Sequence, residues 1–574
     1  MAHSRKPPKQ PNSLTDAIRR LWKASDPEAE PRPTEFSLGN RPAHPSNPPA
    51  PENTEPDLSR SLEDNLARLR QALHADLNSD VVFRQFELGF KKPRRAFLLY
   101  VEGLVDKATE NQFILEPLML LVRLRPELPE GEIIRCLAEH LTPATSTSIE
   151  QNLGSVIDKV LTGITALFVE GSAEALLIET KGWKMRSIDK PSSEPAVRGP
   201  QEAFTETLRV NTALVRRRLR TKDLVVEALP VGNLSKTDVA LIYIQGLTNP
   251  KLVEEVRRRL RGIKMDYAAS SGMIEHMLVD HPHSPFPQVM PTERPDRVAA
   301  SVAEGYVAVI VDTSPFALVL PATFTSAIHS AEDYYILWPL ASFARLIRVA
   351  AMLTSLLLPG FYIAAVSYHS EMLPTPLLLA IAGSRLTIPF PLWLEVLIME
   401  FSFQLVREAG VRIPSVIGPT IGIVGALILG QASVAANLIS PIPVVLVALT
   451  ALGSFLVPNY QASYTLQVAR FAIIVAGSVF GFYGIVLAVY VMSLHLVSLT
   501  SFGVPMVSPV GPYEPGSGDL ILVQPTSSFE TRPSFLRPVK ERKQPNISRQ
   551  WDMPEPTSGQ STAGQEESDR EPSD

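Results

Sequence analysis

The stretch FAIIVAGSVFGFYGIVLAVYVMSL, residues 471–494, contains no ionisable acid or base. At about 1.5 Å per residue it is long enough to cross a hydrocarbon core with some tilt. It sits inside a longer region of the same kind. From Ile413 to Pro512 the single formal charge is Arg470, whereas the first two-thirds of the chain is thick with Arg, Glu and Asp. A soluble domain has no means of hiding so long an apolar run, and a bilayer selects for it, because ionised side chains are costly in hydrocarbon. The whole-chain averages, 45% hydrophobic and 20% charged with a mean hydropathy of +0.09, blend two unlike halves.

The 574 residues suffice for several folding units. A net charge of −5 argues neither for nor against a nucleic-acid partner, and nucleic acid is not expected because the basic 252–261 helix lacks interleaved aromatics. Cys136 is the sole cysteine, which excludes an intrachain disulfide and a cysteine-based zinc site. Residues 1–60 are polar and proline-rich with no apolar core of a signal peptide, so the first membrane helix is expected to direct insertion.

The pattern predicts an α+β/membrane protein: two small α/β cytoplasmic subdomains followed by an α-helical polytopic membrane domain. Residues 1–60 read as a disordered extension, unable to bury enough apolar surface to offset ordering entropy. Residues 61–195 form the first subdomain, with strands at 96–101, 164–169 and 175–179. Residues 196–234 read as a charged linker helix. Residues 235–335 form the second subdomain, with strands at 239–244, 307–311 and 316–320 and a basic helix at 252–261. Residues 336–500 form the membrane domain, with spans at about 345–367, 416–439, 440–458 and 470–498. Between them, 373–411 is apolar but interrupted by Arg385, Glu395, Glu400, Arg407 and Glu408, and reads as interfacial or partly spanning. Residues 501–574 form a cytoplasmic tail, disordered at its end. Arg345 and Arg348 before the first span, and Arg532, Arg537, Lys540, Arg542 and Lys543 in the tail, hold both ends on the cytoplasmic side. The number of crossings is therefore even; four is preferred and six is the alternative.

Catalytic templates are missing: no phosphate loop, no H-E-x-x-H, no G-x-S-x-G and no EF-hand spacing. An enzyme is not expected, and no cofactor or metal is implied. Asp280, His281 and His283 around Pro282 read as a surface loop rather than a metal site. The informative residues lie elsewhere. Arg198-Gly199-Pro200 leads into Glu202 and Phe204, then Asn211 and Arg216-Arg217-Arg218. Glu293-Arg294-Pro295-Asp296 follows, then Glu332-Asp333-Tyr334-Tyr335, then Arg407-Glu408-Ala409-Gly410 in the membrane half. In this order they resemble the A subunit of the GerA-type spore germinant receptors, a family that also includes the SpoVAF proteins. The resemblance runs from about Asp76 to Arg537.

That resemblance implies a multi-pass protein of the inner membrane of bacterial endospores, head and tail facing the core. It implies a ring, a pentamer, working with a transporter-like B subunit and a lipoprotein C subunit, through which monovalent cations leave when germinant binds. The alternatives within the resemblance are a SpoVAF-type auxiliary channel and a non-conducting scaffold subunit.

Two features are read from the residues themselves. On a helical wheel of 416–440, Gly418, Gly422, Gly425, Ser433, Ala436 and Ser440 share one stripe with Leu429 as its large member. The stripe serves either close helix packing or a pore lining gated by Leu429. On the 392–409 helix, Glu400, Gln404 and Glu408 recur at i, i+4, i+8, which suits either a water-facing interfacial helix or a cation vestibule.

Overall fold

Antiparallel pairing of apolar strands builds the head. The computed structural model of the chain describes residues 57–88, 93–120, 133–140, 146–182, 190–191, 193–412, 430–514 and 519–543. Strands β1 (Val81–Leu88), β2 (Arg94–Val101), β3 (Thr147–Glu150), β4 (Ile164–Val169) and β5 (Ala175–Glu179) form one sheet in the order β1-β2-β4-β5-β3. Side chains alternate across it. Phe97, Leu99, Val101, Phe168 and Leu177 pack under helices α1 (Leu62–Ala72) and, after α2 (Ile133–His140), α3 (Leu153–Val160). Leu98, Tyr100, Leu167, Val169 and Ile178 face the opposite layer, which includes Ile114, Leu118 and α2. Both faces are covered, so the strands read as unbroken apolar runs although every pairing is antiparallel. Ser61 and Asn152 cap α1 and α3 with their side-chain oxygens.

The second sheet repeats this plan. Helix α4 (Leu208–Arg218) leads into β6 (Leu224–Val231) and β7 (Thr237–Ile244). Then come α5 (Pro250–Gly262), α6 (Ser271–Leu278), β8 (Met290–Thr292), α7 (Pro295–Glu304), β9 (Val307–Val311) and β10 (Ala317–Leu320). The order β6-β7-β9-β10-β8 matches that of the first sheet, again all antiparallel. Helices α4 and α7 bury Leu214, Val215, Val298 and Val302 on one face; α5 packs on β6 and α6 on β10. Asn249 caps α5 ahead of Pro250, and Gly305, at φ 102°, ends α7.

One expectation needs correction here. Residues 196–234 are not a free-standing linker: 224–231 is an edge strand of the second sheet, and α4 is wedged between the two units. Arg216, 1% exposed, donates to both oxygens of Asp80 at 2.5 and 2.8 Å and to Asn78 Oδ1 at 2.9 Å, while Asn78 Oδ1 also accepts from the Val226 N–H at 2.7 Å. This buried fork pins the two sheet units together.

The C-terminal half is helical: α8 (Trp338–Tyr368), α9 (Thr375–Arg385), α10 (Leu392–Arg412), a helical stretch at 430–435, α11 (Pro441–Phe455) and α12 (Tyr460–Ser498), then a short hairpin of β11 (Thr500–Ser501) and β12 (Val504–Pro505). Helices α8 and α12 are long and apolar enough to cross a membrane. Helix α12 is not one rod. Gly481, at φ 59° and ψ −141°, reverses it, so that 460–480 runs out and 482–498 runs back. Thr465 donates to Pro285 O at 2.5 Å and His495 bonds Ser284 at 3.0 Å, yet a straight helix would hold these two positions about 45 Å apart. Gly477 faces Ile485 and Gly484 faces the Ala476 backbone, as two antiparallel helices in contact require. A Cβ on Gly481 would meet His369 at 3.1 Å and Tyr368 at 3.2 Å, so the turn sits beside the far end of α8.

Candidate functional site at the junction of head and helices

The backbone before α4 makes the first half of the site. Gly199 takes φ 112°, and a Cβ there would lie 2.5 Å from the Tyr335 ring, so only glycine lets the loop lie on that ring. Arg294, 1% exposed, is the hub. Its guanidinium donates to Glu194 O at 3.1 Å, Pro200 O at 2.8 Å and Asp296 Oδ2 at 2.9 Å. Asp296 Oδ2 also accepts from the Tyr335 hydroxyl at 2.6 Å. Burial and this hydrogen bond push the Tyr335 phenol up to about 12, which keeps it a donor. Glu293 accepts from the Ser193 N–H at 3.2 Å, and Arg297 holds Glu194 at 2.5 Å. Pro295 occupies the first turn of α7, where its missing N–H costs nothing.

Other motif residues brace the same segment. Asn211 bonds the Thr205 backbone at 2.8 Å (N–H) and 2.6 Å (C=O), and Phe204 is buried in the second core. Arg217 and Arg218 both bind Glu202. Burial alone would raise the Glu202 carboxyl, but the two guanidinium groups outweigh it and hold it below the usual carboxylate range. Arg198 is exposed.

The second half is centred on Asp333, two residues before Tyr335. Ser330 and Asp333 form a reciprocal capping box around the 331–334 turn. Asp333, 1% exposed, receives Arg345 Nε at 3.1 Å and Arg348 at 2.9 and 2.5 Å, both from the first turns of α8. Burial pushes the Asp333 carboxyl up, and the hydrogen bonds and charge of Arg348 and Arg345 reverse the shift, holding it ionised. Arg345, itself fully enclosed, also binds Asp519 and Leu520 O, the latter at 3.0 Å. His329 bonds the same Leu520 O at 2.9 Å; burial lowers its pKa and keeps the imidazole neutral. The tail then runs over the head as a strap. The Val523 N–H and C=O both pair with Ser342 Oγ, Arg532 donates to Ala303 O at 3.0 Å, and the Val539 N–H reaches Leu247 O at 2.8 Å.

The site is thus a bonded path from the Glu194–Pro200 loop through Arg294, Asp296 and Tyr335 to Asp333, α8 and the tail. Arg198, Gly199, Pro200, Glu202, Phe204, Asn211, Arg217, Glu293, Arg294, Pro295 and Asp296 all belong to its segments. Asp519 and the strap had no signal in the sequence, since the tail is polar and lacks periodicity.

The membrane-half candidates fall differently. Gly418, Gly422, Gly425 and Leu429 lie outside the described residues. Ser433 is half-buried and Ala436 exposed, but the helix has ended by 436 and Asn437 takes φ 53°, so Ser440 leaves the stripe. Ser440 instead donates its N–H and hydroxyl to Glu395 at 2.9 and 2.7 Å, and Arg385 binds the same carboxylate at 3.1 Å. Glu400, 3% exposed, is paired with Arg470 at 2.8 Å and accepts from Thr450 at 3.0 Å, while Arg470 reaches Ser355 at 2.5 Å. Gln404, Glu408 and Gly410 follow half-buried along α10, and Arg407 lies over the Phe455 and Tyr464 rings at 5.2 and 5.0 Å. In the head, Asp280 is taken by Arg259 at 2.6 Å and by the Phe502 N–H at 2.7 Å.

The family described as Bacillus/Clostridium GerA spore germination protein matches residues 67–535. The chain is 38% identical over 480 residues to Spore germination protein KA of Bacillus subtilis (strain 168), covering 83% of this chain and 87% of that protein. It is also 38% identical over 463 residues to the uncharacterized membrane protein YfkQ of the same organism, covering 81% and 88%. Among solved structures, the N-terminal domain of the A subunit of the Bacillus megaterium spore germinant receptor GerK3 aligns at 30% identity with a TM-score of 0.37, covering 47% of this chain and 99% of that one. With a match running through both sheet units, the junction and the helices, this chain belongs to the GerA spore germination protein family.

Proposed function

We propose that this chain is the A subunit of a spore germinant receptor, seated in the inner membrane of the endospore, whose head drives a change in the membrane helices through the Asp333–Arg345–Arg348 junction. That junction is the observation that carries the reading. Its two arginines belong to α8 and its carboxylate to the head, and all three are held away from water apart from the edge of Arg348. A change in the head that displaces Asp333 therefore either moves α8 or breaks a buried ion pair.

Membrane insertion is supported by an inverted surface. Phe343, Phe480, Tyr483, Val486 and Val497 are more than half exposed, whereas Glu395, Glu400 and Arg470 are inside and paired. Large exposed apolar faces of this kind suit lipid, and ionised groups in a bilayer turn inward. Contacts order the helices along one axis: 395 with 440, 400 with 450 and 470, and 407 with 455 and 464. Helix α10 therefore runs the length of the bundle alongside α11, and with both arms of α12 it favours six crossings over four. Head and tail stay on one side.

In this reading the chain forms a homo-oligomeric ring, a pentamer, with B and C subunits as partners, and passes monovalent cations. The 416–435 segment supplies the packing or pore face, with Leu429 as its constriction. Arg470 neutralises Glu400, which takes that carboxylate out of a cation vestibule. A SpoVAF-type auxiliary channel is the second reading. Spores lacking this chain separate the two: a receptor subunit removes potassium release in response to particular amino acids or sugars, and an auxiliary channel slows release to all of them. Unchanged potassium release with every germinant would overturn both.

A further inference from the structure

The exposed large apolar residues of the second sheet unit are not scattered. Apart from Val197 and Tyr334 near the junction, they are Leu234 (79% exposed), Tyr267 (62%), Met273 (39%) and Met277 (51%), and they belong to one assembly. The Leu234 N–H bonds Asp266 O and the Asn233 N–H bonds Met265 O, which joins the β6–β7 turn to the segment entering α6. On α6, Met273, His276 and Met277 form the outward face at i, i+3 and i+4, while Ile274, Glu275 and Leu278 face inward.

The position of α6 is set by tethers to the near end of the helical bundle. Glu275 accepts from Gln461, in the first turn of α12, at 3.0 and 3.2 Å. Asp280, just past the end of α6, accepts from the Phe502 N–H, beyond the last turn of α12. The two points hold α6 lengthwise along the rim. Gln461 precedes Arg470 by about 13 Å of helix, close to half a hydrocarbon core. Tyr460 and Tyr464 meet edge to face beside it with centroids 4.8 Å apart, as an interfacial aromatic pair. Lys236, Lys264 and His276 are exposed around the patch, together with the carboxylates of Asp238 and Asp266.

We infer that the outward face of α6, with Tyr267 and Leu234, lies in the headgroup layer of an anionic bilayer, its methionines and aromatic ring inserted and its lysines on the phosphates. The inference rests on the membrane reading above and adds a lipid contact made by the head itself. The face is continuous with the bundle surface that the same bilayer covers, and Lys236 and Lys264 offer ammonium groups to lipid phosphates.

The single native cysteine makes the test direct. In the Cys136→Ser background, Met277→Cys, Tyr267→Cys and Val486→Cys are each labelled with an environment-sensitive fluorophore, in the full chain reconstituted into phosphatidylcholine–phosphatidylglycerol vesicles. The labels at 277 and 267 are expected to shift to the blue and to lose about half their intensity to lipid spin-labelled near the headgroup, with little effect of aqueous iodide. Vesicles of phosphatidylcholine alone should weaken this quenching. The Val486 label should respond to a spin label deep in the acyl chains. If iodide quenches 277 and 267 while Val486 still responds to deep lipid, the lipid contact is wrong and the membrane reading stands. If 277 and 267 are shielded from both quenchers, a protein surface covers the patch and the inference falls. If Val486 is also untouched by lipid, the membrane reading falls and takes this one with it.

Discussion

Glu400 shows how a residue's partners decide its role. Its carboxylate is matched by Arg470 and Thr450 in a closed setting, so removing the charge leaves a buried guanidinium without its counter-ion. Breaking such a pair from one side costs about 3–5 kcal/mol, while replacing both members with apolar groups is close to neutral. Glu400→Gln should therefore lower the unfolding temperature of the detergent-solubilised chain, and Glu400→Gln with Arg470→Met should recover most of the loss. Reduced cation flux with full stability in the single variant would favour a vestibule instead. Glu110 offers a second residue-scale test. It is 2% exposed and its Oε1 has no hydrogen-bond partner among the described residues. Burial pushes its carboxyl up to about 7, so the folded chain keeps a proton that the unfolded chain releases at lower pH. The stability this contributes is present below the ordinary carboxylate range and is lost as pH climbs toward 7. Unfolding by urea should show a fall of about 3 kcal/mol across that window, and Glu110→Gln should flatten it.

Elements differ in how plainly the sequence announces them. The strands at 164–169, 175–179 and 307–311 stand out because both faces are covered and all positions but Thr165 and the terminal Glu179 are apolar. Strand β6 escapes because it lies at a sheet edge, where Pro230 and Glu227 are tolerated, and so it reads as linker. The shared strand order of the two sheets leaves no trace in motif or period, since only the topology repeats. Helix α10 misleads for another reason: charges that suggest an interface are satisfied inside, by Arg385 just ahead of the helix and by Ser440 and Arg470 far along the chain. The reversal in α12 hides in a uniformly greasy run, where Gly481 looks like any other membrane glycine. Its positive φ and its contacts with Tyr368 and His369 predict that Gly481→Val disrupts the turn. A cysteine placed at Thr465 in the Cys136→Ser background should then become reactive, where the parent protein buries that position against Pro285. Equal protection in the two proteins would mean that the turn survives without glycine.

For the whole molecule, the arrangement is a double-sheet head, a helical bundle with Glu395, Glu400 and Arg470 inside, and a tail that straps one to the other. The motif residues at 198–217 and 293–296 were legible as a set only through family resemblance; their bonding logic is a matter of folded geometry. Arg294 needs two carbonyls and a carboxylate from separate segments, and no spacing rule anticipates that. The path they form ends on α8, which is why the head is expected to set the state of the bundle. Tyr335→Phe tests this most directly, because it deletes the single hydroxyl that joins Asp296 to the junction and leaves the ring on Gly199 in place. One net hydrogen bond is worth about 1–1.5 kcal/mol, so germinant-triggered potassium release from spores carrying this variant should slow about five- to tenfold at unchanged protein abundance. Release at the parental rate, with the same amount of protein in the membrane, would contradict the coupling of head to helices.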